Sequence, residues 1–422
     1  MNVLKKILNM SQPRQIILSL VLGLTVGFIF KEQVAFLRIF GDIFLKMIKM
    51  TIAPLIFVTV THVFCSMQSA GKMGKVALKS IAFYKIATII TAAFGIFVAV
   101  TMKAGVGINI SPEMLGASTV QVMDTSKITA SEMILHIFPE NIFAAFAKSD
   151  IIQILVFSCF FGLAVNKLSS ETGNIVRAID SMSKVVFKMI ALVIKFTPFG
   201  IFGIMAYLAG TQELATLKSL IYLILIIYGC GFVVGYVFYG LTLLAYGLNP
   251  IPFFKKVFEV QSFAFLTSSS AASIPLAKMV AEKKMGVSES TASLAVPLGG
   301  AFNMSGTALH LGATSIFLAQ IYGANLGMAQ YIQIIILSIM LTMGAVGIPA
   351  ASLVMMPVIL IAIGVPPEYV AVYVGIDRFL DMVRSMLNAT GDVLAAVIVD
   401  KSEGTLNKEI YNQMDARIEH SK

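Results

Sequence analysis

Two apolar stretches of this chain are each cut in half by residues that break helices. Residues 252–285 are interrupted by Thr267-Ser268-Ser269-Ser270-Ala271-Ala272-Ser273-Ile274-Pro275, and residues 328–364 by Gly344-Ala345-Val346-Gly347-Ile348-Pro349-Ala350-Ala351-Ser352. The pieces on either side are only about 12–17 residues long, and at about 1.5 Å per residue each reaches the middle of a bilayer and little further. Either the breaks kink two ordinary spans, or each stretch is a pair of half-depth helices meeting at a tip, a re-entrant hairpin. Non-helical backbone at that depth is tolerated only inside protein or beside water. A long apolar run follows each stretch, at 289–321 and 367–397. A hairpin followed by a span, occurring twice, is the pattern of an inverted repeat with a binding site between the tips. The pairing favours hairpins over kinks.

That the solvent is a bilayer follows from composition. Hydrophobic residues are 58% and charged residues 13% of the 422, with a mean hydropathy of +0.88, whereas a soluble domain is about 25% charged. Runs at 14–30, 41–66, 81–103, 150–167, 184–208 and 217–246 read as continuous helical spans, without the alternation of a β-barrel. The first has no small-residue cleavage site before the next span, so it reads as a span rather than a removed signal. The expected fold class is all-α integral membrane: eight transmembrane helices plus two re-entrant helical hairpins, arranged as inverted repeats.

The net charge of +9 is no nucleic-acid signal. Lys5, Lys6 and Arg14, then Lys72, Lys75 and Lys79, then Lys255 and Lys256 follow zero, two and six spans. All therefore fall on one side, the cytoplasm by the positive-inside rule. The stretch 104–150, with Glu113, Asp124, Glu132, Glu140 and Asp150 against Lys127 and Lys148, faces outward. The tail 401–422 reads as a solvated cytoplasmic end. Cys65, Cys159 and Cys230 are scattered without metal-ligand spacing, and no Gly-rich phosphate loop follows a strand. No cofactor, metal centre or ATP-driven step is expected.

The last apolar run carries a polar stripe. Asp377, Asp381, Arg384, Asn388 and Asp392 fall within an arc of about 80° on one helix face. An ionised side chain at bilayer depth costs from about 3 to more than 10 kcal/mol unless it is paired or faces a cavity, so the stripe reads as the lining of an ion or substrate site. Asp381 and Arg384, three residues apart, either neutralise each other or offer a carboxylate to an ammonium group and a planar fork to a carboxylate. Helix N-termini at the hairpin tips would take a second carboxylate. In Asn303-Met304-Ser305-Gly306-Thr307, Gly306 either loosens the helix or serves close helix packing. Carbonyls freed there, with Asn388 and Asp392, would supply the oxygen ligands of Na⁺. A serine hydrolase would need a His or Lys base beside Ser268, Ser269 or Ser270. No such base is placed there and no G-x-S-x-G run exists, so the chain is not expected to be an enzyme. A passive channel is the other non-enzymatic alternative.

The serine-rich first tip, the Asn303-Met304-Ser305-Gly306-Thr307 run, the Gly347-Ile348-Pro349 tip and the last-helix pattern D-x-x-x-D-x-x-R-S-x-x-N-x-x-G-D carry a family resemblance. From about residue 10 to residue 400 the chain resembles the dicarboxylate/amino acid:cation symporter family, which includes bacterial glutamate/aspartate transporters and animal excitatory amino acid transporters. The resemblance implies a homotrimer in a bacterial-type inner membrane, both termini cytoplasmic, working as an elevator. Its scaffold would be 1–75 and 104–215 and its transport domain 76–103 and 216–400, with the tail at 401–422. Asp381 would hold the substrate amino group and Arg384 its side-chain carboxylate. Thr307 and Asn388 would complete the pocket, with backbone of Ser269, Ser270, Ile348, Pro349, Ala350 and Ala351 at the tips and the second tip as gate. Asp392, Asn388 and carbonyls near Asn303 would form a Na⁺ site. Asp377 and Arg378 would support the arrangement, Arg378 reaching the first tip.

The implied substrates are L-glutamate and L-aspartate, coupled to Na⁺ and/or H⁺. C4-dicarboxylate carriers, which usually lack the acid at position 381, are the alternative. Neutral amino acid or cystine carriers stand behind them, the neutral ones usually lacking the arginine at 384. Two departures bear on coupling. Family members often have Asp where this chain has Ser305, and Tyr-x-x-Thr-Ser/Thr where it has Tyr84-Lys85-Ile86-Ala87-Thr88. A cation site of Tyr84, Thr88, Asn303 and Ser305 is therefore expected to be weakened or lost. The animal members also have an acidic residue shortly after this motif, linked to proton movement. Here the chain reads Thr307-Ala308-Leu309-His310-Leu311, which makes His310 either the possible proton carrier or a structural residue of the span.

Overall fold

The computed structural model describes residues 10, 12–72, 74–108, 110, 138–148, 150–168, 172–211, 214–342 and 351–414. Lys5, Lys6, Glu113, Asp124, Lys127, Glu132 and the tip residues Ile348, Pro349 and Ala350 lie outside them. Every regular element among the described residues is helical. The chain begins with α1 (Gln12–Phe30), a 3-10 turn, α2 (Arg38–Lys72) and α3 (Lys75–Met102). Next come α4 (Ile142–Lys148), α5 (Ile151–Lys167), α6 (Gly173–Lys195) and α7 (Thr197–Thr211). Helix α8 (Leu214–Phe232) passes through a π-helical turn into α9 (Tyr239–Ala245). The remainder is α10 (Pro250–Thr267), α11 (Ser270–Met279), α12 (Glu289–Phe302), α13 (Ser305–Tyr322), α14 (Met328–Thr342), α15 (Ala351–Ala362), α16 (Val370–Tyr373), α17 (Asp377–Glu403) and α18 (Lys408–Asn412).

Among the described residues, Arg14–His62, Lys75–Met102, Lys218–Ala245 and Asp377–Glu403 are long and apolar enough to cross a bilayer. Gly173–Lys195 with Thr197–Thr211, bent by 46° at their junction, makes a fifth. The fifth span expected at 184–208 is thus a longer and bent element. Side chains such as Leu78, Phe97, Phe232 and Leu241 stand exposed along these helices, as a lipid-facing surface requires.

The first interrupted stretch folds as two packed helices. Ser268 takes the left-handed conformation at φ 50° and ends α10. The Ser269 hydroxyl oxygen then accepts from the Ala272 N–H at 3.2 Å and caps α11, meeting a donor that the first turn of a helix otherwise leaves open. Helices α14 and α15, from the second interrupted stretch, also pack together.

Two packing groups result. Helix α1 lies on α7, and α2 on α5, α6 and α7. Helix α17 is enclosed by α3, α8, α10, α11, α12 and α13. The groups meet where α14 and α15 touch α2 and α15 touches α5. At that seam Lys49 Nζ reaches Glu368 Oε1 at 2.5 Å, and the Tyr369 hydroxyl donates to the Ile110 carbonyl.

Two expectations are corrected, and the choice left open at Gly306 is decided for close packing. The run 289–321 is not one helix: it breaks at Asn303, which is extended at φ −95° and ψ 97°, and at Met304. Gly306 is not the loosened residue; it sits inside α13, where a Cβ would stand 2.4 Å from the Arg384 carbonyl oxygen. It permits a close crossing. The tail is not solvated throughout. Lys256 Nζ donates to the carbonyls of Lys284 at 2.8 Å, Ile410 at 2.7 Å and Tyr411 at 2.8 Å, and Tyr411 is fully buried with its hydroxyl on the Asn249 carbonyl. A buried ammonium needs such acceptors, and the tail supplies two of them.

Candidate functional site

The polar stripe of α17 lies wholly inside the protein. Asp377, Asp381, Arg384, Asn388 and Asp392 are each 4% exposed or less. Helix α17 is buried on most of its surface, so its charged face has been traded from lipid to neighbouring helices rather than to water.

The most tightly built part is the crossing of α17 with the α12–α13 break. Asn303 Nδ2 donates to the Asn388 carbonyl at 2.7 Å and to Asp392 Oδ1 at 2.8 Å. The Gly306 N–H donates to Asn388 Oδ1 at 2.8 Å. Asn388 Nδ2 donates to Thr307 Oγ1 at 3.2 Å and lies 3.4 Å from Met304 Sδ. The crossing is close because Gly299 has no side chain: a Cβ there would stand 2.3 Å from Asp392 Oδ1. Two oxygens at this point are buried without a hydrogen-bond partner among the described residues, Asp392 Oδ2 and Asn303 Oδ1. Buried oxygens left open are costly. Carboxylate and amide oxygens are the kind of ligand a hard cation takes.

Ser305, where the resemblance implies a carboxylate in other members, is bonded within the protein. Its hydroxyl shares a 2.9 Å hydrogen bond with the Tyr239 hydroxyl, and its carbonyl accepts from Thr91 Oγ1 at 2.8 Å. Tyr84 donates to the Ala295 carbonyl at 2.9 Å, and Thr88 donates to the Tyr84 carbonyl. These hydroxyls are spent on protein acceptors. Tyr239, Thr91 and Gly299 escaped the sequence reading. Thr91 had a signal, lying seven residues after Tyr84 and three after Thr88 on one face of an apolar helix; Tyr239 had none.

Further along α17, Arg384 Nη2 donates to Asp381 Oδ1, and Ser385 Oγ lies 3.5 Å from the same oxygen. Arg378 Nη2 donates to the Thr267 carbonyl at 3.3 Å, at the first tip. Asp377 Oδ1 accepts from Ser352 Oγ at 2.7 Å and lies 3.8 Å from His310 Nε2. Ser269 and Ser270 sit at the start of α11, which packs on α17, and Ala351 begins α15. The predicted residues therefore form three local groups along one helix: Asn303–Thr307–Asn388–Asp392, Asp381–Arg384, and His310–Asp377 with Ser352.

Comparison of the sequence with known proteins points to one family. A family model described as "Sodium:dicarboxylate symporter family" matches residues 13–402. The chain is 31% identical over 397 residues to a C4-dicarboxylate transport protein of Anaeromyxobacter sp. (strain K), covering 93% of this chain and 90% of that one. It is 31% identical over 396 residues to a C4-dicarboxylate transport protein of Bacillus subtilis (strain 168), covering 93% and 94%. A third, from Pseudomonas syringae pv. syringae (strain B728a), is 30% identical over 399 residues and covers 94% and 88%.

Proposed function

The chain belongs to the sodium:dicarboxylate symporter family, and on that premise we propose that it is a cation-coupled symporter for four-carbon dicarboxylates, aspartate among them. Arg384 carries the reading. At 4% exposure on a membrane helix, an arginine is too costly to be kept for packing alone. Paired with Asp381 it forms a neutral unit into which a dianion can insert. One substrate carboxylate takes the guanidinium fork, and Asp381, released, is free to meet an ammonium group. The relatives' names support plain C4-dicarboxylates and reverse the order expected from the sequence. Asp381 supports the second reading, in which L-aspartate or L-glutamate is preferred.

In this reading Asp392, Asn303, Asn388 and the carbonyls at the α12–α13 break hold Na⁺, while Thr307 and Asn388 line the substrate pocket with the backbone of Ser269, Ser270 and the second tip. A second cation site of Tyr84, Thr88 and Ser305 is lost. The group of α3 and α8–α17 moves as the transport unit against α1, α2 and α5–α7, the scaffold of a homotrimer in a bacterial-type inner membrane. The division of packing between the two groups supports that assignment.

The test is uptake into proteoliposomes with succinate, aspartate, glutamate and serine in competition. Asp381→Ser should weaken aspartate by about 10- to 100-fold, the worth of one charge-assisted hydrogen bond, and leave succinate within about threefold. Unchanged aspartate would remove Asp381 from amine binding. Competition by serine alone would defeat the acidic-substrate reading.

A further inference from the structure

Helix α6 and its bent continuation α7 are together too long for the bilayer they enter. At 23 and 15 residues they measure about 35 and 22 Å, against a hydrocarbon core of about 30 Å. Every charged residue of the pair is on α6. Helix α7 therefore takes the core, and the first turns of α6 stand in the headgroup layer or beyond it. The expected order of spans puts that end on the cytoplasmic side.

The cations of α6 are not scattered. Arg177, Lys184, Lys188 and Lys195 fall within an arc of about 40° on one helix face, and all four are exposed. Buried Ile179, Val186, Ile190 and Val193 mark the opposite face, and α6 packs on α2. On α6 itself only Asp180 opposes the cations, 2.6 Å from Lys184 Nζ. Arg177 donates to the Gly173 carbonyl at 3.3 Å and to the Asn174 side chain at 3.0 Å. Lys188 and Lys195 have no hydrogen-bond or ion-pair partner among the described residues. The stripe is left with uncompensated positive charge.

What borders the stripe selects its partner. Met182, Val185 and Leu192 flank it on one side, apolar and exposed. A soluble acidic protein or a free phosphate has no use for that border. An anionic lipid matches both parts, with its phosphate on the ammonium groups and its acyl chain along the apolar flank. Lys195 is the deepest of the four. The length of α7 leaves it about 8 Å inside the edge of the core, a depth from which a lysine extends to the headgroups. A second copy of this chain set stripe against stripe would bring cation to cation.

We propose that the basic stripe of α6 binds anionic phospholipid headgroups of the cytoplasmic leaflet and so fixes the depth at which its packing group sits in the bilayer. The inference goes beyond the symport reading and needs only that the chain spans a membrane. Helix α6 packs on α2, and α2 carries the Lys49 contact to Glu368 of the other packing group. A lipid clamp on α6 therefore steadies the side of the seam against which the other side would move. Each basic residue near an anionic surface favours binding about fivefold, and salt screens that attraction.

The chain has no tryptophan, so Leu192→Trp puts a single fluorescent reporter beside the stripe of the full-length protein. Its quenching is read in vesicles that mix phosphatidylglycerol and phosphatidylcholine, with either lipid brominated on its acyl chains. At low salt the reporter should select phosphatidylglycerol by about 5- to 25-fold, the worth of one or two cations. Lys188→Gln with Lys195→Gln should cut the selection at least about fivefold, the two arginine replacements should keep it, and about 0.5 M salt should erase it. A Phe232→Trp reporter, at the charge-free end of α8, should show no selection. Val185→Trp serves if the first reporter does not fold. Equal quenching by the two lipids, equal selection at both reporters, or selection retained in the double Gln variant overturns the lipid site. Quenching by neither lipid also overturns it, because a protein surface would then cover the stripe.

Discussion

The first hairpin, α10 with α11, is fastened to the body of the molecule at base and tip. At the base, Lys256 draws in the carbonyls of Lys284, Ile410 and Tyr411; at the tip, Arg378 holds the Thr267 carbonyl. The second hairpin, α14 with α15, is joined to α17 by the Ser352 hydroxyl on Asp377, and it also leans on the opposite packing group, touching α2 and α5. The connection after it adds the half-exposed Lys49–Glu368 bridge to α2. Both hairpins are apolar helix pairs of similar length, so the contrast lies in their ties. Among the described residues the first hairpin is tied by these four hydrogen bonds from charged donors and the second by one hydrogen bond to a carboxylate, so the second should part from its neighbours the more readily. That difference is the physical ground for treating the second hairpin as the gate.

The contrast can be broken at three places. The largest effect is expected for Lys256→Met, which leaves buried carbonyls without their charged donor. It should cost about 3 kcal/mol and lower the melting midpoint in detergent by about 3–4 °C. Deuterium exchange should rise over 250–285 and stay unchanged over 328–362. If both hairpins loosen together, they are not held independently. A smaller effect belongs to Ser352→Ala. Losing one hydrogen bond to a carboxylate, about 1–1.5 kcal/mol, should speed substrate release about 5- to 10-fold in stopped flow. Release at the wild-type rate would mean that this bond does not restrain the gate. The smallest is Lys49→Ala. A bridge whose lysine is 37% exposed is worth at most about 1 kcal/mol, so initial uptake should change by no more than about fivefold, less at high salt. A larger change would make the seam a latch in its own right.

The hairpins and the α17 stripe were legible because each is written locally. Helix breakers mark the middle of an apolar stretch, and polar residues three and four apart mark one face. What the sequence concealed depends on which helices cross. Nothing local to Tyr239 foretells that its hydroxyl meets Ser305, 66 residues away. The break in the run 289–321 went unforeseen for the same reason. Gly306 reads as the weak point on propensity, but its lack of a side chain is used for contact with the Arg384 backbone, and the helix opens at Asn303, whose side chain is drawn to Asp392. The tail was misread because its mixed charges look solvated, while the residues that dock it, Tyr411 on the Asn249 carbonyl and Asn407 with its N–H on the Gly286 carbonyl, form a small part of it.

The docking of that tail also sets an order of assembly. Lys256 is synthesised 154 and 155 residues before the Ile410 and Tyr411 carbonyls that receive its ammonium group. Until those residues leave the ribosome, an inserted first hairpin holds a lysine with only the Lys284 carbonyl to meet it. A premature stop just beyond Glu403 would therefore spare every membrane helix and every residue of the substrate and cation groups. It would still deliver to the bilayer a chain whose first hairpin is never finished, a target for membrane quality control rather than a shortened transporter.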